Sequence, residues 1–349
     1  VRGCCFASSH TRVVGQLFST AALKRYTPGI VGLVEELGQE LLQETQPIRL
    51  TDRMRRFAFR VIATTVLGLE GSDRDALFRD FEIWTQALFS VPIAIPGTPF
   101  ANALAARRRL LDRLRDVLEQ ADHNRGGLDL LAGGLDEAGQ PLTTDDLVEQ
   151  LLLLLFAGYE TTASSLSCLM RACLIEPQVE PWLREELDGL EWPPKGDPTI
   201  AFDGIRSPRL QAVVDEVMRM TPPAGGFFRR TCRPIQLADI RIPKDHVVQV
   251  ALTSSNRAGS SDLNVFRPQR HLDGLEKPTL LPFGGGERVC LGKALAQLEI
   301  RRMVVGLLKS VQLSLAGDQN LDLQLIPSPS PKDGLMVVAK RYAPADARA

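Results

Sequence analysis

One helix in the middle of the chain constrains what the rest can do. From Thr143 or Thr144, whose hydroxyls can cap a helix start, an apolar helical pattern runs to about Ile175, stopping just before Pro177. Asp145 and Asp146 fall in its first turn, where acids complement the positive helix end. A helix this long and apolar needs neighbours on several sides to bury it. A membrane is not the expected neighbour, because the purest apolar run, Leu151–Ala157, falls far short of the roughly 20 residues a spanning helix needs.

The segments before it supply candidate partners. Leu23, Ile30, Leu33, Val34, Leu37 and Leu41 make one stripe over Ala21–Leu42; Met54, Phe57, Ala58, Val61, Ile62, Thr65 and Val66 make another over Thr51–Leu69. Asp75–Phe89 and Ala101–Gln120 read as two further helices around a Pro92–Pro99 loop, and Gly126–Gly139 reads as a connector. Helices at Pro181–Leu190 and Pro208–Met220 follow. From Phe227 the period changes to two: IQLADIRIPKDHVVQVAL alternates around a Pro-Lys-Asp turn and predicts a β hairpin. A last helix spans about Leu291–Leu308, and the Ser-Pro repeats at Pro327–Pro331 predict another short hairpin. The fold class is mainly α with minor β, with no repeat and no linker dividing residues 1–349.

Charge and cysteine content remove several function classes. With 41 basic against 42 acidic residues the net charge is −1, which gives no reason to expect nucleic-acid binding or a polybasic membrane anchor. Six cysteines in 349 residues are too few for a disulfide scaffold, so a reduced, cytoplasmic protein, soluble or peripheral to membranes, is expected. The N-terminus lacks the apolar core of a signal peptide.

One cysteine stands out. Cys290 lies where the glycine-rich loop LPFGGGERVC gives way to a helix, and unpaired amides at a helix start favour a low-pKa thiolate. The glycines permit close backbone approach to something flat or bulky, and Arg288 is a cation able to hold a carboxylate or phosphate. Local chemistry alone leaves a nucleophile, a redox sensor, a metal ligand and an inert buried thiol all open.

Phe283, Gly286, Arg288, Cys290 and Gly292 resemble the haem-binding signature of the cytochrome P450 family, F-x-x-G-x-R-x-C-x-G, at every fixed position. The resemblance implies the fold of that family, with a long central helix over a haem (iron protoporphyrin IX) and small β sheets. It makes Cys290 the axial thiolate, Arg288 a propionate contact and Phe283 a shield for the sulfur.

Two further runs are similar to family motifs. Ala157-Gly158-Tyr159-Glu160-Thr161-Thr162 matches the oxygen-binding motif A/G-G-x-D/E-T-T/S. Read physically, Gly158 weakens the helix and Thr161 and Thr162 can bond back to carbonyls, opening a groove. The resemblance makes Glu160 and Thr161 a proton-delivery pair and places Ala157 and Gly158 in the oxygen pocket. Glu216 and Arg219 fit E-x-x-R, a spacing that Glu299 and Arg302 share and that alone reads as a solvated pair. By its position before the haem loop, the first pair is expected to join Arg270 in a structural triad. The resemblance further implies that an arginine just beyond the TPPAGG turn reaches a second propionate; Arg229 is taken over Arg230 for it, since alternation along a strand sends one of them away. His10 and Arg12 are weaker candidates for a third, with a poor spacing to Phe18. His123, His246 and His271 show no metal-ligand spacing and read as surface residues.

The implied reaction is haem-dependent monooxygenation: one oxygen atom of O2 enters a lipophilic substrate, with electrons from a donor such as a ferredoxin or flavodoxin with its reductase. Phe156 and Tyr159, the Ala224–Phe228 turn and the Pro327–Leu335 tip are the expected substrate contacts. The PPAGGFFR turn and the early SSH…FSTAALKRY segment are similar to the retinoic-acid-hydroxylase and cyanobacterial branch, pointing to retinoid, apocarotenoid or sterol-like substrates. A basic face from Arg288, Lys293, Arg301 and Arg302 would suit an acidic donor. The rival readings are an isomerase or dehydratase that needs no external electrons, and a non-catalytic remnant. Residues 1–349 match a single domain of this family lacking its usual N-terminal segment, which would leave apolar surface uncovered.

Overall fold

A computed structural model describes residues 13–120, 126–131, 134–135, 139–193, 207–272 and 280–343. His10, Arg12 and His123 lie outside them. Among the described residues four α-helices precede the central one: α1 (Thr20–Gln43), α2 (Leu50–Thr65), α3 (Gly71–Gln86) and α4 (Pro99–Glu119). Two begin on side-chain caps, where Ser19 Oγ accepts from the Ala22 amide at 3.3 Å and Thr98 Oγ1 from the Ala101 amide at 3.2 Å. The central helix, α5 (Thr144–Ile175), starts on a reciprocal cap. Thr143 Oγ1 accepts from the Asp146 amide at 3.1 Å, and Asp146 Oδ2 accepts from the Thr143 amide at 3.3 Å. Behind it follow α6 (Val179–Leu187), α7 (Pro208–Met220), the single turn α8 (Leu252–Ser255) and α9 (Lys293–Ser310).

The small sheets differ from expectation at one point. Strands β3 (Ile235–Leu237) and β4 (Ile240–Ile242) pair about Ala238 and Asp239, Ala238 taking φ 48°; the Pro-Lys-Asp segment is not their turn. It leads instead to β5 (Val247–Ala251), which pairs antiparallel with β2 (Gly226–Arg230), so Arg229 faces Val248 across the ladder. Alternation is the same for either pairing, and only the turn geometry separates them. A three-stranded sheet in the order β1 (Ile48–Arg49), β9 (Met336–Arg341), β6 (Val311–Leu315) closes against the helices, and β7 (Leu323–Gln324) with β8 (Ser330–Pro331) forms the expected terminal hairpin.

α5 has the length and apolar content to cross a membrane, its best window reaching a mean hydropathy of 1.3, yet 61% of that window is buried in this fold. Two apolar cores share it. Its first half joins α2, α3 and α4 around Phe59, Phe81, Leu110 and Leu155. Its second half joins α1, α6, α7 and α9 around Ile30, Leu166, Val213 and Met303. Its approach to α2 is close: a Cβ on Gly158 would lie 2.2 Å from Ile62 Cδ1. Apolar side chains remain exposed on the loop between α3 and α4, notably Phe89 and Val91, and at the terminal hairpin on Leu325 and Ile326.

Behind the second core, Glu216 is fully buried and accepts from five donors. Arg219 gives Nε at 2.8 Å and Nη2 at 2.9 Å, Arg270 gives Nε at 3.1 Å, the Arg267 amide lies at 2.7 Å, and His271 Nε2 lies at 2.7 Å. His271 is therefore a buried partner of this carboxylate and not a surface residue, whereas His246 is exposed as expected. Arg219 goes on to the carbonyls of Asn256 and Leu263 at 3.0 and 2.7 Å, and Arg270 to Asp262 at 2.8 Å. Burial alone would raise the Glu216 pKa; the hydrogen bonds from Arg219, His271 and the Arg267 amide outweigh it and hold the group down at about 2.

Removing one member strands buried charge. Glu216→Ala is expected to cost about 3–5 kcal/mol in urea unfolding, because Arg219 keeps its desolvation cost without its counter-charge. The folded pKa lies below the unfolded value, so this contribution is complete above the unfolded carboxylate pKa and is lost as pH falls through about 2. The acid limb of a stability–pH curve should therefore flatten in the variant.

Candidate active site

The glycine loop is closed by its own backbone. The Cys290 amide donates to the Phe283 carbonyl at 2.8 Å, Gly284 to Leu281 at 2.8 Å and Val289 to Gly286 at 3.1 Å. Gly284 and Gly286 take φ 72° and 67°, which only glycine adopts without strain. Cys290 then ends the loop, and α9 begins two residues later than its apolar pattern suggests, because Leu291 and Gly292 complete the turn. Burial pushes the Cys290 thiol up; the amides of Gly292 and Lys293 and the Lys293 charge pull back without cancelling it. The low-pKa thiol expected from a helix start is thus overturned in the protein itself, since desolvation outweighs the amides.

Cys290 opens onto a cavity of about 710 Å³, lined from several distant segments. The loop contributes Phe283, Gly284, Arg288, Cys290 and Gly292; β2 contributes Gly226, Phe227 and Arg229, the last with its guanidinium 4.4 Å from the centre of the Phe227 ring. Arg230, next along the strand, is not in the wall. From α5 come Leu154, Ala157, Gly158, Thr161, Thr162 and Ser165, the positions that share one face of a helix. Gly286 shapes the loop without lining the cavity.

That same periodicity corrects two expectations. Tyr159 is buried in the first core, with its ring 5.0 Å from that of Phe81, and Phe156 stacks edge-on with Trp84 at 5.7 Å; neither lines the cavity. Ala224 and Phe227 do line it, while Phe228 faces away and residues 327–335 do not reach it. Glu160 also falls outside the lining. It accepts from Arg55 Nη2 at 3.2 Å and Nε at 3.4 Å on the side facing α2. The Thr161 hydroxyl donates to the Ala157 carbonyl at 2.7 Å, as a helix-loosening threonine should, but that of Thr162 does not turn back: it donates to Glu299 Oε1 at 2.9 Å.

The spacing of Glu299 and Arg302 alone predicts a solvated pair, and the structure buries both. Both are 2% exposed, so Arg302 adds nothing to a basic face, and Arg301 turns to Gln211. The E-x-x-R spacing gives Glu299 no place at the cavity, and Arg55 carries no motif at all. An acid within the apolar stripe Leu295, Leu298 and Met303 was a readable signal for the first; nothing local marks the second.

The donor set fits the group implied by the loop motif. A haem needs a soft axial donor, cations for two propionates, small residues where its plane passes and an apolar cavity of several hundred cubic ångströms. Cys290, Arg229 with Arg288, and Ala157 with Gly158 meet those needs within one cavity.

Comparison with known proteins agrees. The family model described as Cytochrome P450 matches residues 7–342. A putative cytochrome P450 120 from Synechocystis sp. is 34% identical over 343 residues, 94% of this chain and 76% of the relative. Cytochrome P450 26B1 of Mus musculus is 30% identical over 348 residues, 93% of this chain and 68% of its own length. Among solved structures, retinoic acid bound cyanobacterial CYP120A1 superposes with a TM-score of 0.82 at 30% identity, covering 96% of this chain and 78% of that one.

The loop makes a clean test of backbone strain. A Cβ on Gly286 would meet no atom within 4 Å, so Gly286→Ala should lose only what its positive φ costs, about 1–2 kcal/mol in denaturant unfolding.

Proposed function

The chain belongs to the cytochrome P450 family, and from that premise we propose that it oxygenates a retinoid-class lipid in the cavity that α5 shares with the Cys290 loop. Family membership makes it an oxidoreductase, a monooxygenase whose haem is held by a cysteine thiolate. Cys290 is the ligand in this reading, giving up its proton as metal binding demands. When bound, the haem supplies the activation of O2 that side chains lack. The gathering of Cys290, Arg229, Arg288 and the Ala157–Thr161 turn around one cavity carries the proposal.

The remaining work falls to the chain itself. Arg229 and Arg288 bind the two propionates, and Phe283 covers the sulfur, its ring face 5.8 Å from Lys293 Nζ. Ala157 and Gly158 keep side chains away from the oxygen site. The Thr161 hydroxyl gives its hydrogen to the Ala157 carbonyl, which leaves both oxygen lone pairs to accept hydrogen bonds from water in the cavity. Glu160 receives protons on the outer face of α5, where Arg55 holds it. The largely apolar lining, with Leu154, Phe227, Leu291 and Leu295, excludes water and suits a lipophilic substrate. Similarity to the retinoic-acid-bound relative favours a retinoid within that class. A small ferredoxin or flavodoxin with its reductase is the electron donor in this reading.

Reduction of the purified protein followed by carbon monoxide should give the red-shifted Soret band of a thiolate-ligated haem, and Cys290→Ser should abolish it. A folded wild-type protein without that band refutes the assignment. Arg229→Ala should lower the haem-to-protein ratio retained through gel filtration several-fold, with Arg230→Ala unchanged; equal losses would reject the choice between them. Titration with retinoic acid is expected to displace iron-bound water and shift the Soret band.

A further inference from the structure

Two side chains from α2 and its C-cap reach the cavity that α5, β2 and the cysteine loop enclose. Ile62 and Val66, one helical turn apart on the same face, both line it, although both also belong to the first apolar core. At Ile62 the contact runs through Gly158. A Cβ on that glycine would lie 2.2 Å from Ile62 Cδ1 and 3.4 Å from Cγ1, so the terminal methyl of Ile62 occupies the place where a side chain on α5 would start. Periodicity does not mark this, since Ile62 reads as one more member of the α2 stripe.

The methyl is held there firmly. Branching at Cβ keeps a helical isoleucine in one main rotamer about χ1. The end of α2 is fixed as well: the Val66 amide donates to the Ile62 carbonyl at 2.9 Å, and the Val66 carbonyl accepts from the Gly127 amide at 2.9 Å. Both side chains are buried, so neither has solvent to swing into. Ala157 and Gly158 bring a single methyl group between them to the same stretch of wall. The bulk that a ligand meets beside Gly158 is therefore supplied by another helix.

We propose that Ile62 is a specificity-determining residue: seated in the notch at Gly158, its Cδ1 sets how bulky a group can lie against α5 beside Ala157 and Thr161. This deepens the proposed function and rests on the cavity being the haem site. Volume decides the effect. One methylene more or less in an apolar pocket changes affinity on the order of tenfold, because a close-packed wall neither yields nor fully collapses. Ile62→Val removes Cδ1 alone, and Cγ1 then stands at ordinary contact distance from a Cβ introduced at Gly158.

The test is spectral titration of the haem-loaded protein with two iron-binding azoles, imidazole and 4-phenylimidazole, which differ by a phenyl group that has to find room in the cavity. In Ile62→Ala the affinity for 4-phenylimidazole relative to imidazole should rise on the order of tenfold, with a smaller rise in Ile62→Val. Gly158→Ala should lower that ratio, because the new methyl drives Ile62 out of the notch and into the cavity; adding Ile62→Val should restore it. A side chain that only fills the core would lower the denaturant midpoint of the Ile62 variants and leave the ratio unchanged, and that result overturns the proposal. So does a lowered ratio in Gly158→Ala that the added Ile62→Val fails to move. Should Ile62→Ala fail to fold, Ile62→Val alone and paired with Gly158→Ala decides by the same two criteria. The thiolate Soret band with carbon monoxide is measured on every sample, which separates this proposal from the haem assignment. An unchanged ratio with the band present overturns the role of Ile62 alone, and absence of the band in the wild type overturns both.

Discussion

The carboxylate of Glu216 has no contact with solvent and five donors around it, and much of the molecule is tied to that point. Through Arg219 it fixes the carbonyls at Asn256 and Leu263; through Arg270 and the Arg267 amide it fixes the segment that leads toward the glycine loop. None of these stretches has regular secondary structure of any length, so packing alone would not give them one conformation. A buried ion pair adds little net stability compared with apolar packing, but it penalises every arrangement that leaves a charge unpaired. Here that penalty orders irregular chain behind Cys290.

On the other side, α5 sorts the chemistry by its period of 3.6 residues. Ala157, Thr161 and Ser165 turn one face to the cavity, and Tyr159 turns into the first core. Glu160 lies toward Arg55 on α2. Gly158 serves two demands at once: it leaves room at the cavity and lets Ile62 approach its backbone. An acid next in sequence to the cavity threonine is therefore not next to the cavity in space.

Much of this was legible beforehand because it is local. Helix α7 spans the residues its pattern indicated, and Thr143 opens α5 through a box written in four consecutive residues. Phe283, Arg288, Cys290 and Gly292, with Ala157, Gly158 and Thr161, line one cavity, because each belongs to a short motif whose geometry is carried by its own glycines and helix turns. The hairpin partner of β5 was not legible, since alternation is the same whichever strand it meets. Nor was the burial of His271, whose surroundings come from α7, or the direction of the Cys290 pKa, which depends on what surrounds the sulfur beyond the adjacent amides.

The mainly helical architecture, the family resemblance and the segments that carry the chemistry are written in the order of the residues. Those follow from periodicity, caps and motifs spanning at most a few turns. Which charges are paired and which acid faces the cavity come from the packing of distant segments. Glu160 meets Arg55 across 105 residues of chain, and Glu299 meets Thr162 across 137. Desolvation and hydrogen bonding are set by whatever the fold brings within a few ångströms, and no local pattern records that.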